Sequence, residues 1–287
     1  MFEGIKQRLG IGQTLVQPET IDDRIIGYND IKIFLGQLEA SKKMLNVLFN
    51  GPPATAKSLF LDELERRYPN PIRYDFGIST GKGVINSLVE FKQEFQERKG
   101  LRGKSFEDVP ITLLIDEVDA IKPKTDLKML HNLLEGKRVT YTKFRFRVDL
   151  RIPNLRVFAT TNYADKLPEP FLSRFFRFDL REYTLEEFIQ IAKGIAPKHL
   201  NPLRENIDEL AEQFAVELYP RDKNVRQLRD MMIAYEVFEG QKTVAEILGF
   251  KLKYTQVRDE EQREQRTRTR PESKRKQKKN GIGGAPF

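Results

Sequence analysis

Residues 46–58 read NVLFNGPPATAKS, a short apolar run, a turn rich in proline and alanine, then lysine and serine opening the amphipathic stretch SLFLDELERRY. A strand that turns directly into a helix leaves the first helical N–H groups unpaired and aimed at one point, which suits a phosphate. The phosphate-loop pattern is glycine, four residues, then Gly-Lys-Ser/Thr, placed between a strand and a helix. Gly51, Lys57 and Ser58 meet it, and Ala56 stands where the second glycine is expected. Alanine fits a position with negative φ but costs roughly 1–2 kcal/mol in a left-handed one.

The same alternation continues downstream. PIRYDF is strand-like, GVINSLVEFKQEFQERKG helical, ITLLID a buried strand, and TDLKMLHNLLEG a helix closed by Gly136. NLRVFATTN and FFRFDL are two more strands. Apolar strands alternating with helices predict a parallel sheet covered on both faces. Before the first strand, NDIKIFLGQLEASKKML predicts a helix with Ile31, Leu35, Leu38 and Met44 on its apolar side and Asn29 or Asp30 as N-cap. After Arg181 only helical periodicity remains, through YTLEEFIQIAKGI, NPLRENIDELAEQFAVEL, NVRQLRDMMIAYEVF and VAEILGFKL. The expected organisation is a lead-in (1–22), an α/β unit (23–182), a small all-α unit (183–252) and a disordered basic tail (253–287).

Charge supports that division. The chain of 287 residues carries a net +8, yet residues 251–287 hold 12 basic and 5 acidic side chains. The remainder is nearly neutral, with 38 basic and 37 acidic, so the basic character belongs to the tail. There are no cysteines and two histidines, which excludes disulfides, thiolate metal sites and His-rich metal sites. The N-terminus lacks the apolar core of a signal peptide and no run reaches the roughly 18 apolar residues of a membrane span. A soluble, cytoplasmic protein with no membrane partner is expected.

ITLLIDEVD ends in Asp116 and Glu117. Two carboxylates at the tip of a buried strand are costly core residues, and they suit a site facing a cation. ATTN ends the next strand and brings Asn162 to the same edge, while FLSRF carries Arg174 and NVRQL carries Arg226.

In order, DRIIGYND, GPPATAKS, LLIDEVD, FATTN, FLSRF and NVRQL resemble the motifs of an AAA+ ATPase over residues 20 to 250. The resemblance implies a P-loop NTPase core with a helical lid, binding ATP and Mg²⁺. It would place Ile26, Gly27 and Tyr28 at the adenine pocket. The loop Gly51, Pro52, Pro53, Ala54, Thr55, Ala56 would cradle phosphates, with Lys57 on the β/γ-phosphates and Ser58 on Mg²⁺. Asp116 would hold the metal shell, Glu117 would polarise water, and Asn162 and Arg226 would be the two sensors. Arg174 would be an arginine finger serving a neighbouring subunit, with Arg177 a second candidate, so a homo-oligomer, by family precedent a hexamer, is implied. The departure is at Ala54 and Ala56, where the family usually has glycines, which bears on hydrolysis more than on binding.

RVTYTKFRFRVDLRIPNL alternates from Phe144 to Ile152, with Arg145, Arg147, Asp149 and Arg151 on one side, and predicts a β-hairpin. An insertion at this place resembles the branch of MoxR-type remodellers, and RuvB-type motors also carry a hairpin. Its arginine side reads either as a grip on a polyanion or as a solvated face. ISTGKGVI places Lys82 where ring ATPases keep a pore loop, and the basic tail suits electrostatic nucleic-acid binding. The expected function is an ATP-hydrolysing ring motor that remodels a macromolecule, nucleic acid being favoured. The alternatives are a MoxR-type chaperone acting on a protein client, or an ATP-holding scaffold without turnover because of Ala54 and Ala56.

Overall fold

The strand that feeds the Pro-rich turn lies inside a five-stranded parallel sheet, with a neighbour on each side. The computed structural model of this chain describes residues 25–77, 81–97, 105–121, 124–136, 139–143, 146–251 and 253. The chain begins with α1 (Asn29–Ser41), β1 (Val47–Asn50), α2 (Lys57–Arg67), β2 (Pro71–Asp75) and α3 (Gly81–Glu97). Next come β3 (Ile111–Asp116), α4 (Lys124–Leu134), β4 (Val139–Lys143), β5 (Phe146–Leu150) and β6 (Leu155–Thr161). It continues through the single turn α5 (Glu169–Leu172), β7 (Phe176–Asp179), α6 (Leu185–His199), α7 (Ile207–Leu218) and α8 (Val225–Val237). Further helical turns follow at 244–251.

The sheet order is β2-β3-β6-β1-β7. Its register aligns the carboxyl ends: Asn50 pairs with both Thr161 and Asp179, and Asp75 pairs with Asp116. Ligands of open α/β sheets bind in the crevice outside these ends, where the strand order changes direction. Val47, Phe49, Leu114 and Phe158 face one way, into a buried cluster shared with α1, α2 and the C-terminal helices. Leu48, Leu113, Ile115, Val157 and Ala159 face the other way, onto α3 and α4. Burial on both faces explains why these strands read as unbroken apolar runs.

The parallel sheet, its flanking helices and the helical C-terminal part match the fold expected from the sequence. Local details differ. α1 starts at Asn29, so Tyr28 holds the cap position, in a left-handed conformation and without a side-chain cap bond. Ile31, Leu35 and Leu38 are buried, but Met44 lies beyond the helix and is exposed, because α1 ends at Ser41. Lys82 falls in the first turn of α3 and not in a loop, while 78–80 lie outside the described residues.

β4 and β5 form the antiparallel hairpin, rooted by Val139 opposite Leu150, both buried. Thr140 is opposite Asp149 and Thr142 opposite Arg147. By register the positions of Arg147, Asp149, Thr140 and Thr142 share one side of the hairpin. Arg145 and Phe144 lie outside those residues, as do 1–24, 252 and the tail 254–287. Among the described residues, no helix is long and apolar enough to cross a membrane.

Candidate functional site: a phosphate loop facing two carboxylates

The loop between β1 and α2 is shaped from both ends. At its start, Gly51 lies against the chain leaving β7: a Cβ added there would sit 2.6 Å from the Leu180 carbonyl oxygen. Only glycine permits that approach. At its end, Ala56 precedes α2 with φ −41°, an ordinary value for an L-residue. Ala54 is different, with φ +62°. The steric cost anticipated for an alanine in this loop therefore falls on Ala54 and not on Ala56.

Lys57 is the first residue of α2 and is buried. Its ammonium donates to the Gly51 carbonyl at 2.9 Å, to the Pro52 carbonyl at 2.5 Å and to Thr55 Oγ1 at 3.3 Å. Burial lowers its pKa from the ordinary 10.5 to about 8, with Asp116, Asp119 and Glu117 opposing and Arg226 adding to the fall. The Ala56 N–H, one of the loop donors, is taken by the Tyr183 hydroxyl at 3.0 Å. Burial raises the Tyr183 pKa, so this hydroxyl is a neutral partner at physiological pH.

Ser58 Oγ donates to Asp116 Oδ2 at 2.9 Å, joining the start of α2 to the end of β3. Thr160, on β6, donates to the other Asp116 oxygen and accepts from the Glu117 N–H at 3.0 Å. Glu117 has φ +54°, which turns the chain out of the strand at the sheet edge. One residue further on β6, Thr161 Oγ1 donates to Asp119 Oδ1 at 2.7 Å, and the Asn162 N–H reaches the same oxygen at 3.2 Å. Arg73, on β2, binds Asp62 and Glu65 of α2 and has Asp116 Oδ2 at 3.8 Å.

A cavity of about 490 Å³ opens between this edge and the C-terminal helices. Of the residues singled out in the sequence, Pro53, Ala54, Thr55, Ala56, Lys57, Ser58, Asp116, Glu117, Asn162 and Arg226 line it. Tyr183, Ile191, Ile195 and Val225 supply an apolar wall from the helical side. Gly51 and Pro52 instead hold the Lys57 ammonium from beneath. Ile26, Gly27 and Tyr28 do not line the cavity. Tyr28 is buried against Phe60 and Tyr183 and donates to the Arg181 carbonyl at 2.7 Å, and a Cβ at Gly27 would meet the Glu187 carboxylate.

Arg174 also lies elsewhere. Its Nε donates to Glu135 Oε1 at 3.0 Å, a second guanidinium N–H reaches the same oxygen, and His131 Nε2 stands 3.3 Å from it. Arg177 is paired with Asp179 on its own strand.

The donor set fits a hydrated Mg²⁺ beside a polyphosphate: a hydroxyl and a carboxylate oxygen within hydrogen-bond distance, next to a buried lysine and a helix N-terminus. Thr160, Thr161, Asp119 and Tyr183 are absent from the motif reading. The threonines carried a signal, two polar residues closing an apolar strand opposite acids. Tyr183 carried none, since its partner is 127 residues away.

The sequence pattern of the ATPase family associated with various cellular activities (AAA) matches residues 47–183, from the first residue of β1 to Tyr183. This segment is an AAA domain. Its curated relatives include the mitochondrial Lon protease homolog of Drosophila melanogaster, 25% identical over a gapped alignment of 239 positions that covers 74% of this chain and 22% of that protein. Replication factor C subunit 3 of Saccharomyces cerevisiae is 27% identical over a gapped alignment of 167 positions that covers 56% of this chain and 43% of the relative. The chain thus spans less than half the length of these relatives. Among solved structures, Thermotoga maritima RuvB superposes with a TM-score of 0.56 at 16% identity, covering 84% of this chain and 73% of that one. That likeness concerns the fold: the AAA domain and the helices after it share their arrangement with RuvB.

Proposed function

We propose that the AAA domain binds ATP with Mg²⁺ in the cavity between the phosphate loop and the C-terminal helices, and hydrolyses it. The observation that carries this reading is the convergence of Lys57, Ser58, Asp116, Glu117, Asn162 and Arg226 on one cavity, from four separate stretches of chain. Ser58 and Asp116 would hold Mg²⁺, which supplies neutralisation of phosphate charge. Lys57 would exchange its carbonyl partners for phosphate oxygens. Glu117 would orient and polarise the attacking water, with Asn162 beside it. Arg226, at the N-terminal end of α8, would bring positive charge from the helical side. The division at 182/183 would then be functional, separating the AAA unit from a lid that closes the nucleotide cavity.

Arg174 would act on the site of a neighbouring copy in a ring, since its guanidinium is turned away from its own cavity onto Glu135. The turnover would drive remodelling of a macromolecule. Nucleic acid is the favoured substrate, supported by the relation to replication factor C subunit 3 and by the basic tail. The second reading is a MoxR-type chaperone acting on a protein, supported by the register that sets Thr140 opposite Asp149 and Thr142 opposite Arg147, so that uncharged and acidic positions interrupt the basic ones among the described residues.

The test is ATP turnover of the full chain, alone and with single-stranded, duplex and junction DNA. Stimulation by one DNA form supports the first substrate, and basal turnover that no DNA changes supports the second. No turnover at high protein concentration, with ATP still bound, would leave a scaffold that holds nucleotide. No heat on titrating Mg·ATP, with Lys57→Ala equal to the parent, would remove the site altogether.

A further inference from the structure

We propose that Asp119 is a positioning residue of this site, fixing the segment that carries Asn162 without touching the nucleotide cavity. The inference rests on the ATPase reading above for its kinetic consequence, and on the hydrogen bonds alone for its structural one.

Two elements must keep a constant separation for Glu117 and Asn162 to act on one water. Glu117 opens the turn 117–120, closed by the Ala120 N–H on the Glu117 carbonyl at 2.8 Å. Asn162 follows the last residue of β6. Two ties join them. The first runs from the Glu117 N–H to Thr160 Oγ1 at 3.0 Å. The second is Asp119, whose Oδ1 accepts from both Thr161 Oγ1 at 2.7 Å and the Asn162 N–H at 3.2 Å.

The first tie alone would leave a pivot about Thr160, and the second removes it. Thr161 is fully buried and also accepts from the Tyr163 N–H at 3.1 Å, so Asp119 anchors the whole turn out of β6. Asp119 does not line the cavity that holds Lys57, though its charge acts on that lysine: it borders a separate groove of about 600 Å³, with Leu127, His131 and Phe171. A group so placed touches Thr161 and Asn162 and makes no contact with a substrate in the cavity. Misplacement of a reacting partner by about 1 Å costs on the order of 10²-fold in rate, so the tie has kinetic weight.

The experiment compares the full chain with Asp119→Ala, Asp119→Asn and Thr161→Val. Three quantities are read: turnover number, Mg·ATP affinity by calorimetry, and hydrogen exchange of the 161–163 amides. For Asp119→Ala the expectation is a turnover number lowered about 10- to 100-fold and an affinity within about threefold of the parent. Exchange at Asn162 should be at least about tenfold faster, as a protected amide loses its acceptor. Asp119→Asn keeps an oxygen at Oδ1 and should recover most of both effects. Thr161→Val removes one donor to the carboxylate and the acceptor of the Tyr163 N–H, so Tyr163 should exchange faster while Asn162 loses less protection than in Asp119→Ala. Parental exchange at Asn162 in Asp119→Ala would overturn the proposal whether or not the parent hydrolyses ATP. So would an active parent whose Asp119→Ala form keeps the parental turnover number, or loses affinity and turnover equally. An inactive parent with faster exchange in Asp119→Ala would uphold the positioning and sink the ATPase reading.

Discussion

The Tyr183 hydroxyl accepts the Ala56 N–H at 3.0 Å, so a side chain at the start of the helical part occupies a donor of the phosphate loop. Helix N-termini leave such donors free for anions. Here a neutral oxygen holds one of them.

Removing that oxygen gives the first prediction. Tyr183→Phe leaves a buried N–H unpaired and should destabilise the ligand-free chain by about 1–2 kcal/mol. Phosphate oxygens can replace the lost acceptor, so saturating Mg·ATP should raise the melting temperature of Tyr183→Phe by more than it raises that of the parent. Thermal melts with and without nucleotide check this. Equal shifts in the two proteins would contradict it.

The two alanines of the loop should respond with opposite signs. Ala54 has φ +62°, where glycine relieves roughly 1–2 kcal/mol of strain, partly offset by about 0.5–1 kcal/mol of extra unfolded-chain entropy. Ala54→Gly should stabilise the chain by up to about 1 kcal/mol. Ala56 has φ −41°, so Ala56→Gly gains nothing and should cost about 0.5–1 kcal/mol. Urea denaturation of the two variants separates them.

Lys57 predicts a pH dependence. Its pKa is about 8 in the folded chain against an ordinary 10.5, so the unfolded chain binds this proton more tightly. Stability from this group therefore rises as pH increases from about 8 toward 10.5. Tyr28 and Tyr183, both raised by burial, work in the opposite direction only above about pH 10. Between about pH 8 and 9.5 the parent should gain stability relative to Lys57→Met, which lacks the titrating group. Parallel curves for the two proteins would show that Lys57 is not buried as the structure has it.

Arg174 and Glu117 should complement between subunits. Each of Glu117→Gln and Arg174→Ala should lower turnover at least about 10²-fold, given the usual weight of an arginine supplied in trans. Mixed together they should recover activity, because some interfaces pair an intact Glu117 with an intact Arg174. A mixture as inactive as its parents would place Arg174 outside the reaction.

The sheet was legible in the sequence because its strands are buried on both faces. VLFN, ITLLID and LRVFATT have no polar side to disguise them, and Lys57, Asp116 and Glu117 stand at their ends by spacing alone. What the sequence did not show depends on distant contacts or on φ. The N-cap of α1 was placed at Asn29 or Asp30 from residue type, yet Tyr28 takes it through a left-handed turn. The alternation of the hairpin put Asp149 among its arginines, but only the register shows that the positions facing Asp149 and Arg147 across the ladder are threonines. Asp119 stands in DEVD with nothing to single it out, since its bonds to Thr161 and Asn162 cross more than 40 residues of chain.

Gly51 touches the Leu180 carbonyl with no side chain between them, and Leu180 in turn donates its N–H to Asn50 at 2.7 Å. Three residues later the chain reaches Tyr183 and the helices. The floor of the phosphate loop and the lead into those helices are thus in direct backbone contact. A shift of the loop floor would therefore meet the backbone of that lead-in directly, with no flexible side chain between them to absorb it.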